Sequence, residues 1–572
     1  MRRVEMTGPA TQLVGALAAI VVLAAVVPQY WLFLATTALV TAISLSGLGI
    51  VTGRAGMISL CQMSFMALGA WVVCELNVLA APGGLVLWIL VGGLAAVPLG
   101  VLLGLPALRL RGVHLAVVTL GFSAAADVII AAAGFPGATT FQQVLRPAFI
   151  GTDTAYFVFA ALVFVAGAVA IRLLGRTRYG TAWRALRFSE RATAAAAMSV
   201  PRAKLAAFAL SAFFGGIAGG VLAGQIGVVT AQNFDTVDSL ILLVVAVMAG
   251  SEYAGGAIAG GLLMVFVPEI LRGLGVPQDW GSLLFAVGAV QTLSTGLSMS
   301  EDLVRRFRRR GAVSVPEKTG RRAAHRASPV TPERGERPVL VVEGLSVSYG
   351  RITALSGVNL VVPERTVMGL IGPNGAGKST FTDAVTGFVR GATGSVTLDG
   401  RRLDGLPVHR RAAAGLRRTF QQDRVPPGLT VAGFLRFSAH RRVSTAELDE
   451  MAAFLNLGAL NRHVSELDVG SRRLLEVAGA LLSRPKVIIL DEPAAGLAHA
   501  ESMELAERLM EVPARFGASV LLIEHDLEMV RRACAEVVVL DFGEVIAAGP
   551  PATTLARPEV ARAYLGDEVA LA

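Results

Sequence analysis

Gly372-Pro373-Asn374-Gly375-Ala376-Gly377-Lys378-Ser379-Thr380 decides the fold of the second half of this chain. The stretch matches the pattern GxxxxGK followed by Ser or Thr. The apolar run Val367–Ile371 stands before it as a strand, and residues 381–386 follow it as a helix-like run. Glycines at these places let backbone N–H groups wrap a string of phosphates, and the start of the next helix adds its positive dipole end. Lys378 is placed to reach the β- and γ-phosphates, and the Ser379 hydroxyl to ligate magnesium. Gly372, Asn374, Gly375, Gly377, Lys378, Ser379 and Thr380 are therefore the expected phosphate cradle, with ATP and Mg2+ as the implied ligands.

A second, independent signal is Val487-Ile488-Ile489-Leu490-Asp491-Glu492. Four apolar residues predict a buried parallel strand that ends in two carboxylates. Asp491 is placed to hold the magnesium shell, and Glu492 to polarise an attacking water. His525 follows another apolar strand, Ser519–Ile523, and can reach a γ-phosphate. Strand-like runs at 339–342, 366–371, 486–490, 519–523 and 536–540 alternate with helix-like stretches. That alternation predicts an α/β domain with a largely parallel sheet.

The first half has another character. Over 572 residues, 54% are hydrophobic and only 16% charged, against about 45–50% and about 25% in soluble domains. The excess is concentrated before residue 304. Apolar runs at 13–27, 31–51, 57–79, 85–105, 113–133, 156–174, 205–229, 240–249, 255–271 and 282–299 give about ten candidate spans, of which the first and eighth are short of the ~20 residues a spanning helix needs. Arg2 and Arg3 before the first run look like a signal peptide, but the spans that follow at once predict an uncleaved first span. The spans are rich in Gly and Ala, as in Phe213-Phe214-Gly215-Gly216-Ile217-Ala218-Gly219-Gly220, which predicts close helix packing in lipid. Asp127 falls inside the fifth span, and Glu75 and Glu269 nearer span ends. An intramembrane carboxylate raises a pathway role, with a satisfied structural contact as the plainer alternative. Cys61, Cys74 and Cys534 form no CxxC pair and are expected to be small buried hydrophobes.

Charge orients the spans. With the N-terminus inside, Arg54, Arg109, Arg111, the Arg-rich 172–204 loop and the 305–310 cluster all fall on one side, as the positive-inside rule requires. Everything after residue 304 is then cytoplasmic. Residues 305–338 hold eleven Lys or Arg against three acids, which is nearly the whole of the net charge of +9. A basic run directly after an apolar segment marks a membrane flank, so lipid and not nucleic acid is its expected partner. The expected organisation is a transmembrane domain at 1–304, a basic Pro/Arg-rich linker at 305–338 and a nucleotide-binding domain at 339–572. The fold class is thus an all-α polytopic membrane bundle followed by an α/β P-loop domain.

On these residues the second half resembles the ABC-type ATPase domain. The resemblance implies that Tyr349, in Ser348-Tyr349-Gly350, stacks on adenine. It implies that Gln421, in Thr419-Phe420-Gln421, is the Q-loop residue between magnesium and the membrane domain. Glu492 becomes the catalytic carboxylate and His525 the switch histidine. Residues 558–566 and 491–497 are similar to the branched-chain amino-acid branch. Two places depart from the family. The signature, similar to LSYGQ in this branch, is Leu467-Asp468-Val469-Gly470-Ser471 here, with a carboxylate where a serine should face the γ-phosphate. Ala498-His499 replaces the usual Asn-Pro of the D-loop.

The first half resembles the permease of the same importer branch, at 108–120, 179–187 and 204–220. Its coupling helix then falls at about 187–201, with Ser199 in place of the usual glycine. The resemblance implies a fused permease and ATPase in a prokaryotic inner membrane. It implies uptake of a branched-chain or other hydrophobic amino acid delivered by an extracytoplasmic binding protein, with urea and short amides carried by neighbouring branches. A signature serves the partner's nucleotide, so the Asp468 departure leads to an expected second, different ATPase chain and a second permease chain. A membrane-anchored regulatory ATPase that moves no solute is the other class of function, and the altered signature is its sole support. An exporter would carry about six long spans, unlike the shorter Gly-rich runs here.

Overall fold

The computed structural model describes residues 9–277, 280–295, 299, 337–421 and 424–565. The basic linker expected at 305–338 lies outside the described residues, apart from Arg337 and Pro338. Two compact units divide the chain: residues up to Trp183 with those from Pro201 through the apolar half, and Arg184–Val200 with the nucleotide-binding half.

The first unit is helical. All ten expected spans are helices: α1 Pro9–Val26, α2 Gln29–Gly49, α3 Gln62–Val78, α4 Gly84–Gly104, α5 Val113–Ala133, α6 Asp153–Gly175, then, after the short helices α7 Arg178–Phe188 and α8 Glu190–Ala195, α9 Val200–Ile226, α10 Thr236–Ala249, α11 Ala254–Gly273 and α12 Trp280–Thr295. Among the described residues, seven helices are long and apolar enough to cross a membrane. With 17 and 16 residues, α3 and α12 fall short of that length.

Small residues bring the helix backbones into contact. A Cβ on Gly219 of α9 would sit 1.8 Å from the carbonyl oxygen of Met66 on α3, and one on Gly69 2.1 Å from that of Gly216. The α4 glycine Gly92 would meet the Gly69 oxygen at 2.8 Å. Contact this close recovers dispersion energy that lipid cannot supply between larger side chains. Polar side chains then close the backbone ends. Arg146 donates to the carbonyls of Gly224 and Gln225 at the C-terminal end of α9. Buried Lys204 donates to Ala107 O at 2.8 Å. Asp127 accepts from Thr236 N at 2.9 Å, the first residue of α10. Its carboxylate therefore has the structural contact that was the plainer expectation. All three cysteines are free and buried.

The nucleotide-binding half is α/β. Its strands are β1 Pro338–Tyr349, β2 Ile352–Pro363, β3 Val367–Ile371, β4 Thr393–Leu398, β5 Arg401–Arg402, β6 Leu416–Arg418, β7 Val487–Asp491, β8 Ser519–Ile523, β9 Glu536–Asp541 and β10 Glu544–Gly549. One sheet is antiparallel, in the order β2-β1-β4-β5. The other runs β10-β9-β3-β8-β7-β6 and is parallel except for the edge pair β10–β9. Every residue of β3, β7 and β8 is buried, which explains their unbroken apolar sequences. The order matters for function, because β3, β8 and β7 are neighbours. The phosphate-cradle motif, His525 and the paired carboxylates therefore leave the sheet at one edge, the carboxyl ends of the strands.

The bundle contacts carry a prediction. Gly219→Ala forces a methyl into the Met66 carbonyl and should lower stability by about 1–3 kcal/mol. Gly121→Ala, where a Cβ meets nothing within 4 Å, should be neutral or mildly stabilising. Thermal unfolding of both variants in the same detergent checks the contrast.

Candidate functional site

The cradle is built by backbone conformations that favour glycine. Gly372, Gly375 and Gly377 have φ of +150°, +88° and +101°. A Cβ at Gly372 would lie 2.1 Å from Leu540 O on β9, so the turn is also too close to the sheet for any side chain. The helix Lys378–Thr386 starts immediately afterwards. Asn374, Gly375 and Ser379 are exposed, and Thr380 is half-buried. Lys378 Nζ donates to the carbonyls of Gly372 and Pro373, at 2.6 and 2.9 Å. Burial lowers its pKa, opposed by the nearby charges of Glu492 and Asp491. The cation is thus held over the mouth of the loop, facing two carboxylates.

Those carboxylates differ. Asp491, the last residue of β7, is 4% exposed and accepts from Arg418 at 3.0 Å. Burial pushes its carboxyl above the usual range, against the pull of Arg418. Glu492 is half-buried, has φ +48°, and accepts from Gln421 Nε2 at 3.1 Å. A non-glycine residue in this region stores strain, and such residues gather at functional sites. Gln421 and Glu492, named separately from the sequence, are therefore brought into contact.

His525 is exposed and lies beyond β8, with Nδ1 3.6 Å from Glu524 Oε2. Glu524 is 1% exposed, and its other oxygen accepts from Ala494 N at 3.1 Å, just past the paired carboxylates. Burial raises the Glu524 carboxyl above its ordinary value. Tyr349, at the end of β1, is 54% exposed, so its ring face is open to a planar base. Ser379, Gln421 and Asp491 supply a hydroxyl, an amide and one carboxylate. An all-oxygen set with a single protein carboxylate fits Mg2+ completed by phosphates and water.

Sequence reasoning missed several residues. Arg418, Asp383, Glu524, Arg473 and Glu476 carry no motif of their own. Glu476 accepts from Phe420 N at 3.1 Å, and Arg473 donates to Phe420 O. Both lie on the helix Val469–Leu482, which so grips the residue before Gln421 by its two backbone groups. The signal available was position: Arg418 and Phe420 flank the Thr419 of the Gln421 motif, and Glu524 precedes His525.

The altered signature has a local reason. Asp468 is the N-cap of Val469–Leu482, and its carboxylate accepts from Ser471 N at 2.7 Å. That bond holds its pKa below the usual carboxylate value. Aspartate caps a helix as well as serine does. The fold is kept while a negative charge is added. Leu467 and Gly470 are buried, Val469 is exposed and Ser471 is half-buried.

The segment Arg184–Val200 belongs to this unit. Ser189 caps α8 by accepting from Ala192 N. Arg417 donates to Ala195 O at 2.7 Å, the last residue of α8, and to Ser438 O at 3.1 Å. Arg424 donates to Ser189 Oγ at 3.1 Å. Arg191 pairs with Asp383 and lies 4.6 Å from the centroid of the Phe388 ring. Burial brings Arg417 down to about 10, still cationic at neutral pH.

Comparison with known proteins places both halves of the chain in known families. The family model for the permease component of the branched-chain amino acid transport system matches residues 28–290, and the ABC transporter model matches 355–495. The high-affinity branched-chain amino acid transport ATP-binding protein LivG of Salmonella typhimurium is 37% identical over 252 residues, which is 40% of this chain and 99% of that protein. The chain belongs to the ABC transporter family. The corresponding protein BraF of Pseudomonas aeruginosa is also 37% identical, with the same coverage. A nucleotide-free ATP-binding cassette from an ABC transporter aligns at 28% identity with a TM-score of 0.37, over 40% of this chain and all of that one. This ABC transporter joins a permease component and an ATP-binding component in one chain, and hydrolyses ATP to drive transport.

The signature cap yields a prediction. Asp468→Ala should weaken the start of Val469–Leu482 by about 1 kcal/mol, seen as faster amide exchange at Ser471. Asp468→Ser should leave that exchange unchanged.

Proposed function

We propose that this chain is half of an uptake system for a branched-chain or other hydrophobic amino acid in a prokaryotic inner membrane. Its nucleotide-binding unit faces the cytoplasm, and an extracytoplasmic binding protein delivers the solute. The seat of Arg184–Val200, part of the span matched by the permease family, within the ATPase unit carries the coupling step. Residues 28–290 fit a permease described for this solute class, and the ATPase relatives are named for it.

In the cycle, Tyr349 stacks on adenine while Gly372, Asn374, Gly375, Gly377 and Thr380 line the phosphates. Lys378 leaves the carbonyls of Gly372 and Pro373 for the β- and γ-phosphates. Ser379, Gln421 and Asp491 would hold Mg2+, which neutralises phosphate charge when bound. Glu492 polarises the attacking water, oriented by its bond from Gln421, and His525 reaches the γ-phosphate from the end of β8. Closure of the ATPase dimer moves the segment bound by Arg417, Arg424 and Asp383, and the membrane helices change access.

Two copies of this chain would set Asp468 against both nucleotides. A different ATPase chain limits that charge to one nucleotide and supplies an intact signature to the site of Lys378, Asp491 and Glu492. The assembly is therefore a heteromer with a second permease chain.

Lys378→Ala should lose nucleotide affinity and uptake. Glu492→Gln should still bind ATP while turnover falls about 100-fold or more. Radiolabelled leucine uptake into vesicles, with urea as competitor, reads both function and solute; unchanged uptake by either variant sinks the site assignment. Native mass measurement of the purified complex should show a second ATPase chain. Full uptake by a homodimer would refute the heteromer.

A further inference from the structure

Four charged side chains alternate in sign between the segment Arg184–Val200 and the carboxylate proposed to face magnesium. Arg191 pairs with Asp383 Oδ2, and Arg418 with Asp383 Oδ1. Arg418 then donates to Asp491 Oδ2 at 3.0 Å. The inner pair is dry: the side chains of Arg418 and Asp491 are 5% and 6% exposed. Phe388 and Phe420 meet edge to face, 5.9 Å between centroids, and wall the line. Arg191 lies on the first ring, and Arg418 lies 5.0 Å from the centroid of the second. Asp383 belongs to the helix that begins at Lys378, so the line also runs through the phosphate-binding helix.

We propose that Arg418 is a positioning residue for Asp491, and that the line Arg191–Asp383–Arg418–Asp491 sets how freely Asp491 serves a divalent cation according to the seat of Arg184–Val200. The inference rests on the metal role of Asp491 proposed above. One guanidinium is shared by two carboxylates in a place where charges are weakly screened. With Arg191 seated, Asp383 is already neutralised, and Arg418 is left to Asp491. With Arg191 withdrawn, Asp383 draws Arg418 toward itself. Asp491 then gives up a competing cation and turns its charge to the metal. A displacement of the segment thereby reaches the metal site through ion pairs, in parallel with the Gln421 loop three residues on. Leaving a buried carboxylate without a cation costs far more than it does at the surface, so Arg418 shifts toward Asp383 when Arg191 leaves it, and the metal takes its place at Asp491.

The test uses the full chain in nanodiscs with ADP, and Mn2+ as the probe, its free fraction read by electron paramagnetic resonance. Arg191→Gln should tighten Mn2+ binding about fivefold, with ADP affinity in the absence of metal unchanged. The shift should vanish when Arg191→Gln is combined with Arg418→Gln. Because Arg418 is buried, Asp383→Asn provides a second, milder break of the line, and the shift should vanish there too. No shift with Arg191→Gln, or an equal shift in both broken backgrounds, overturns the relay. Unchanged Mn2+ binding in Asp491→Asn overturns the metal role of Asp491, and the relay with it.

Discussion

Parallel pairing of β7 with β8 and of β8 with β3 is the constraint on which the nucleotide site depends. The register sets Asp491 opposite Ile523, and Leu370 opposite Ile523 on the other side. Three connections therefore leave the sheet at one level: the phosphate loop after Ile371, the carboxylate turn after Asp491, and Glu524-His525 after Ile523. Every residue of β3, β7 and β8 is buried, so side-chain packing on both faces, and not a polar–apolar alternation, holds this register. The Glu492 backbone is locked to it by donating its N–H to Ile523 O at 2.9 Å. That bond helps hold a glutamate with positive φ in a place where glycine would be easier.

The short strand β6 extends the same sheet and does two jobs by simple alternation. Successive side chains on a strand point to opposite faces. Arg417 turns to the carbonyls that end α8 and the helix Val431–Ala439, while Arg418 turns to Asp383 and Asp491. Helix ends carry unsatisfied carbonyls and negative partial charge, so a buried arginine without a carboxylate can be satisfied there. One tripeptide thus holds the permease-derived segment with one residue and the carboxylate turn with the next. Just beyond it, Phe420 is gripped through its N–H and C=O by Glu476 and Arg473, so the Gln421 loop answers to the helix that starts at Asp468.

In the membrane unit, glycine performs the work that apolar side chains perform in water. Gly69, Gly92, Gly216 and Gly219 let α3, α4 and α9 touch backbone to backbone. Buried polar groups are then spent on one another. Gln62 donates to Ser44 O and accepts from Ser211 Oγ, joining α2, α3 and α9 at one level.

Much of this was legible from local chemistry. Each of the ten apolar runs became a helix, because twenty apolar residues in lipid have few other ways to satisfy a backbone. The phosphate loop was legible because its backbone geometry is one that only glycine takes easily, and β3, β7, β8 and β9 because a covered parallel sheet needs unbroken apolar runs, whereas β2, β4, β5 and β6 carry no such run. Asp468 was legible as a changed charge but not as a helix cap, which depends on where Val469–Leu482 begins. Arg191, Asp383, Arg418 and Glu524 were not legible. Their importance lies in partners far along the chain, and a lone arginine or aspartate has the same local appearance on a solvated face as in a buried line of charge. The sequence by itself determined the apolar helices, the strands of the parallel-sheet core and the glycine-bearing loop after β3. Only the tertiary structure decided which charges meet, because sheet order and helix seating bring residues 191, 383, 418 and 491 into contact.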